Sequence, residues 1–184
     1  SVEDELRKLE ERLKRIADEL RRLVEKNIED NKESLKEIEK LIRENIERNK
    51  EVLKRIAERG KREDELRDIE RKIRESIEKL KDLLRRAEEK VRRSIRRLEK
   101  ILKELKEKVD KLKEELKDLT DKRLDKDELK KALDDVDKKL EDLRREVEDR
   151  DRKNEEDNRR LRKELEERSR ENKEFLDKLA READ

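Results

Sequence analysis

The side chains that could do chemistry in this chain are carboxylates, amides, hydroxyls and basic groups, because it contains neither Cys nor His. Without thiolate or imidazole, disulfides and thiolate nucleophiles are excluded, and the commonest general acid/base and transition-metal ligand is missing. Adjacent carboxylates occur at Glu88–Glu89, Glu114–Glu115, Asp134–Asp135 and Glu155–Glu156. Glycoside hydrolysis or a divalent cation would need that residue type. Neighbours on a helix, however, point about 100° apart, and these are set among charges that give no apolar surround to shift a pKa. They read as a solvated face. An EF-hand is excluded by the missing turn glycine. No catalytic, metal-binding or cofactor-binding residue is assigned, no cofactor is expected, and the chain is not read as an enzyme.

A second candidate is the basic run from Lys90 to Arg97, interrupted only by Val91, Ser94 and Ile95. Nucleic acid would be the obvious partner. Phe175 is the only aromatic residue in the chain, so bases would find nothing near this run to stack on. Residues 61–122 carry a net charge of +5 and residues 123–184 a net −3. Antiparallel neighbours would set the run beside Glu148, Asp149, Asp151 and Glu155. An intramolecular charge seam is therefore expected, and neither nucleic acid nor membrane as partner.

Of the 184 residues 64% are charged and 28% apolar, against roughly 25% and 45–50% in ordinary domains. Such a composition usually belongs to disordered chains. Here 60 Lys and Arg nearly balance 58 Asp and Glu, and the apolar residues recur at regular spacing. A seam of two positions in seven needs only about 29% apolar residues. No apolar run approaches the ~18–20 residues of a membrane span, and no signal-peptide core is visible, so the chain is expected to be soluble.

The apolar residues step by threes and fours along three segments, Val2 to Ile56, Leu66 to Leu119 and Leu129 to Ala183. A mean step of about 3.5–3.6 is helical. The third series passes through Asp151, Asn154, Asn158, Arg168 and Asn172, and offers no apolar residue between Val147 and Leu161. Local opening is expected there first. Gly60, the sole glycine, suits the left-handed position past a helix end. Leu124, Asp125, Glu128 and Leu129 fit a hydrophobic staple around a capping box, and Ser1 with Asp4 fits a similar box. The expected architecture is all-α: one domain, residues 1–184, forming an antiparallel up-down-up three-helix bundle, coiled-coil-like, with helices of about 57 residues over 2–59, 64–120 and 126–183. Each would be roughly 85 Å long. One unbroken helix is the competing picture, which the matched segment lengths oppose.

The most specific signal is the polar residues on the seams. With turns centred near Lys61–Arg62 and Lys122–Arg123, neighbours on helices 1 and 2 have numbers summing to about 123, and those on helices 2 and 3 to about 245. Asn45 and Asn49 then lie opposite Ser76, with Ser169 and Asn172 at the same height. A second level gathers Asn27, Asn31 and Ser34 near Ser94, Asn154 and Asn158. An amide set against leucine in a wrong register leaves buried donors and acceptors unpaired, at about 1–3 kcal/mol per group. Such layers fix register and partner choice at a cost in stability.

These residues, together with charge-saturated faces and Leu/Ile/Val seams, resemble those of de novo designed helical bundles with buried hydrogen-bond networks. The likeness is one of style across the whole chain and carries over no functional residue. It implies a structural scaffold with no natural biochemical function and no required partner. The alternative is a self-assembling or partner-binding helical module, forming a homo-oligomer or docking a helix. A natural spectrin-like rod is a weaker reading, since those repeats are shorter and commonly carry core aromatics.

Overall fold

The computed structural model describes residues 1–60 and 62–183, with the Ala183 side chain excepted. Lys61, at the centre of the expected first turn, and the seam position of Ala183 thus lie outside the described residues. Three helices account for nearly all of the chain: α1 (Val2–Glu58), α2 (Glu63–Asp121) and α3 (Lys126–Ala183), of 57, 59 and 58 residues. They pack as an all-α three-helix bundle, and no strand occurs among the described residues.

Helices α1 and α3 begin where a side chain satisfies a free amide. The Asp4 amide donates to Ser1 Oγ at 3.3 Å, and the Glu128 amide donates to Asp125 Oδ1 at 2.8 Å. Leu124 and Leu129, the two staple residues, are both half-buried. In α2 the first turn carries Glu63, Asp64 and Glu65, which favours the positive end of the helix dipole. Gly60 follows the end of α1 with φ of 66°, in the left-handed region. A Cβ there would meet nothing within 4 Å, so only the backbone conformation resists a side chain. Gly60→Ala should accordingly cost about 1 kcal/mol, read as a lowered urea midpoint, while Gly60→Asn should cost less.

The chain forms two compact units. The first comprises residues 1–30 and 94–156, the second residues 31–93 and 157–184. In the first, α1 contributes Leu6, Leu9, Leu13, Ile16, Leu20, Val24 and Ile28 to the core. Leu98, Ile101, Leu105, Val109, Leu112 and Leu116 come from α2, and Leu133, Val136, Leu140, Leu143 and Val147 from α3. Numbers rise together between α1 and α3, where Arg12 is bound by Asp137 and Glu141. They run oppositely between α2 and α3, where Glu104, Lys108 and Glu115 meet Arg150, Glu146 and Lys139. The chain directions are therefore up, down and up within this unit.

Among the described residues of the second unit, the buried apolar ones are Ile38, Ile42, Ile46 and Ile56 on α1, Ile73, Ile77, Leu80, Ala87 and Val91 on α2, and only Leu165, Leu176 and Leu179 on α3. Arg168, placed on the seam by its spacing, is exposed, and that expectation is corrected. A step of four from Leu165 to Ser169 followed by three to Asn172 closes the same two turns as three followed by four. Period alone does not choose between them. Desolvating a guanidinium costs far more than burying a hydroxyl, so Ser169 takes the inward place.

Candidate functional site

A buried polar layer of the second unit joins all three helices. Asn45 and Asn49 stand one turn apart on α1 and so share a face. One N–H of Asn49 donates to the Asn45 carbonyl at 2.6 Å, and the other to Asn172 Oδ1 on α3 at 2.8 Å. Asn172 in turn donates to Ser76 Oγ on α2 at 2.7 Å. Asn45 donates to Ser169 Oγ on α3 at 2.6 Å, and the Arg48 guanidinium donates to Asn45 Oδ1 at 3.4 Å. Asn45, Asn49 and Asn172 are buried, Ser76 and Ser169 half-buried. All five residues expected at this height are thus brought together. Asn49 Oδ1 alone among them is buried without a partner.

The residues expected at the other level divide between the two units. In the first, Ser94 donates its hydroxyl to Asn154 Oδ1 at 2.9 Å, linking α2 to α3. Asn27 on α1 donates its amide to Asp151 Oδ1 at 2.9 Å and to the Asp151 carbonyl at 3.2 Å. Asn27 and Asn154 are buried and Ser94 half-buried. In the second unit Asn158 donates to Ser34 Oγ at 3.3 Å, a long bond, and the Asn158 Oδ1 is buried without a partner. Ser34 and Asn31 are buried on α1.

Asp151 is the residue that charge-based reasoning misplaced. It was expected in an acidic wall facing the basic run, yet it is 3% exposed and held by the Asn27 amide. Burial is the first cause that raises its pKa above the ordinary carboxylate value. The Asn27 hydrogen bond opposes the rise, and the nearby negative charges of Glu155 and Asp30 add to it. The step from Val147 to Asp151 to Asn154 already put this residue on the seam; its charge argued against burial and misled.

Elsewhere the charges pair both along and between helices. In the basic run Arg92 pairs with Glu88 at 3.4 Å on its own helix, and the Arg93 guanidinium reaches the Glu89 carbonyl at 3.5 Å. From the expected acidic wall, Glu148 lies 3.9 Å from Arg144 and Asp149 pairs with Arg152. Interhelical ion pairs of the first unit join Arg150 to Glu104 at 2.6 Å, Lys108 to Glu146 at 3.0 Å and Lys139 to Glu115 at 3.2 Å. The Arg150 hydrogen bond lowers the Glu104 pKa, and the Glu115 and Asp135 bonds raise that of Lys139. No group of three or more Asp or Glu side chains among the described residues is placed to hold a metal ion. Among the described residues no helix is long and apolar enough to cross a membrane.

Amides and hydroxyls linked in this way can hold helices in one alignment, but they offer no activated nucleophile and no tuned acid–base pair. Compared with known protein families, with curated proteins and with solved structures, the chain finds no match.

Proposed function

We propose that this is a designed structural scaffold, without catalytic function, whose buried Asn and Ser networks specify helix register and topology. The observation that carries the reading is the chain from Asn49 through Asn172 to Ser76, one bond to each neighbouring helix. Sliding α3 by a turn breaks both bonds, and sliding α1 or α2 breaks one, in each case setting amides against apolar side chains. Leu-rich seams alone resist such slippage poorly, whereas one buried amide can select a single coiled-coil alignment. The composition supports the same reading: helix-forming charged residues saturate the faces, and no Cys, His, Met, Trp or Pro is present.

The test replaces Asn45, Asn49 and Asn172 together by leucine. The triple variant is expected to melt at a higher temperature than the parent while giving a mixture of helix alignments or masses. Spin labels on α1 and α3 would report this as a broadened distance distribution. If it instead became much less stable yet kept one sharp distance, the register role would be lost.

A further inference from the structure

We propose that the open groove between α2 and α3 of the second unit is the face on which two copies of this chain associate, about a two-fold axis parallel to the groove. The groove has a volume of about 640 Å³, and its floor includes Leu80, Leu83, Ala87, Leu161, Leu165 and Phe175. Leu83, Leu161 and Phe175 are only half-buried, so apolar surface is left facing outward along the trough. This gives the assembly alternative a specific face and stands apart from the register role of the amides.

The charges on the rims say which occupant fits. Each rim is formed by residues one position ahead of a seam residue. On α2 these are Lys72, Lys79, Arg86 and Lys90, the first three seven apart, with Glu75 and Asp82 between them. On α3 they are Glu164, Arg168 and Glu171. One rim is thus mainly basic and the other mainly acidic. In the first unit the residues in the same relation to the seam close directly over the α2–α3 contact, as Glu104–Arg150, Lys108–Glu146 and Glu115–Lys139. In the second unit the rims do not close. Arg86 turns to Asp82 on its own helix at 3.0 Å, and Lys79, Glu164 and Glu171 make no ion pair among the described residues.

A second copy satisfies both rims at once. Rotation by half a turn about an axis along the groove sets the α2 rim of one copy against the α3 rim of the other, twice over. Heights are preserved by that rotation. The Ser76–Asn172 bond places Lys79 and Glu171 within roughly 3 Å of the same level, and likewise Arg86 and Glu164. Lys79 therefore meets Glu171 of the partner subunit, and Arg86 meets Glu164 of the partner subunit. The half-buried leucines and Phe175 are covered between them. A two-fold axis across the groove would instead set two net-basic rims together, which favours the axis along it.

Sedimentation equilibrium of the full chain, from about 1 µM to about 1 mM, covers the range in which a modest interface populates a dimer. The mass should rise from 22.7 kDa towards twice that value. Leu83→Lys and Phe175→Glu should each keep the chain monomeric with its helical circular dichroism intact. Lys79→Glu, at an exposed position, should raise the dissociation constant about tenfold, and Lys79→Glu with Glu171→Lys should restore it. A mass of 22.7 kDa at every concentration would overturn the proposal. So would a dimer indifferent to Lys79→Glu and Phe175→Glu. Neither result touches the amide test of register, which is read on α1 and α3 within one chain.

Discussion

An Asn172→Ala variant is expected to lose about 3 kcal/mol of unfolding free energy in urea titrations, far beyond an ordinary surface substitution. Asn172 is the middle link between α1 and α2 in the second unit, accepting from Asn49 and donating to Ser76. Alanine removes acceptor and donor together. Asn49 is fully buried, and its Oδ1 already lacks a partner. Losing the bond to Asn172 would strand one of its N–H groups as well. Ser76 suffers less, because it is half-buried and its hydroxyl can turn to the carbonyl one turn back on α2. The space left by the amide adds a smaller penalty. Asn45→Ala should cost less, since its partner Ser169 retains access to water. A loss below about 0.5 kcal/mol for Asn172→Ala would show that water reaches the layer and that the amides are not held as described.

The single and triple substitutions should move stability in opposite directions. Deleting one partner leaves the desolvation cost of the others unmet. Replacing the amides together by leucine removes most of that cost and adds apolar burial of about 1.5–3 kcal/mol per side chain. Stability should therefore rise as the information about alignment is lost. Additive effects across the three sites would argue that they act separately, since members of one network couple by about 0.5–3 kcal/mol.

Much of this was readable from spacing. Apolar steps of three and four located all three helices, and Asp125 and Gly60 marked their boundaries, because caps and left-handed turns demand particular residue types. Asn45, Asn49, Ser76, Ser169 and Asn172 could be placed at one height, because short connections make register nearly a matter of counting. Three features were less legible. Arg168 and Ser169 are equivalent by period, and only the cost of desolvation separates them. Asp151 sits on the seam, but a carboxylate's place inside depends on the single amide that meets it from another helix. The width of the buried stripe was also underestimated. Asn27 precedes Ile28, Asn45 precedes Ile46 and Ser76 precedes Ile77, and in each pair both residues are at least half-buried. A helix packed against two neighbours needs a stripe wider than a two-stranded seam, and these amide–isoleucine and serine–isoleucine steps were its signature.

The pH dependence of stability should carry the mark of Asp151. Its folded-state pKa is raised above the ordinary value of 3.8, first by burial, with Glu155 and Asp30 adding to the rise and Asn27 opposing it. An acid shifted in this direction binds its proton more tightly when folded. Its contribution to stability is fully present below the unfolded value and is lost as pH climbs through the folded one. Above that folded-state pKa the protein bears an ionised carboxylate that is 3% exposed, steadied by one amide at 2.9 Å. Asn27→Ala removes that amide and should cost about 2 kcal/mol above that pKa, as expected for a buried hydrogen bond to a charged group. The cost should shrink on acidification, because the neutral acid can tolerate the loss. Asp151→Asn keeps the shape, removes the charge, and should raise the urea midpoint near neutral pH. That gain should fade as the pH approaches 3.8. Urea midpoints of the parent, the two single variants and the double variant, followed from neutral pH downward, separate charge from packing. A gain for Asp151→Asn that stays constant over the whole range would mean that the Asp151 proton is not linked to folding.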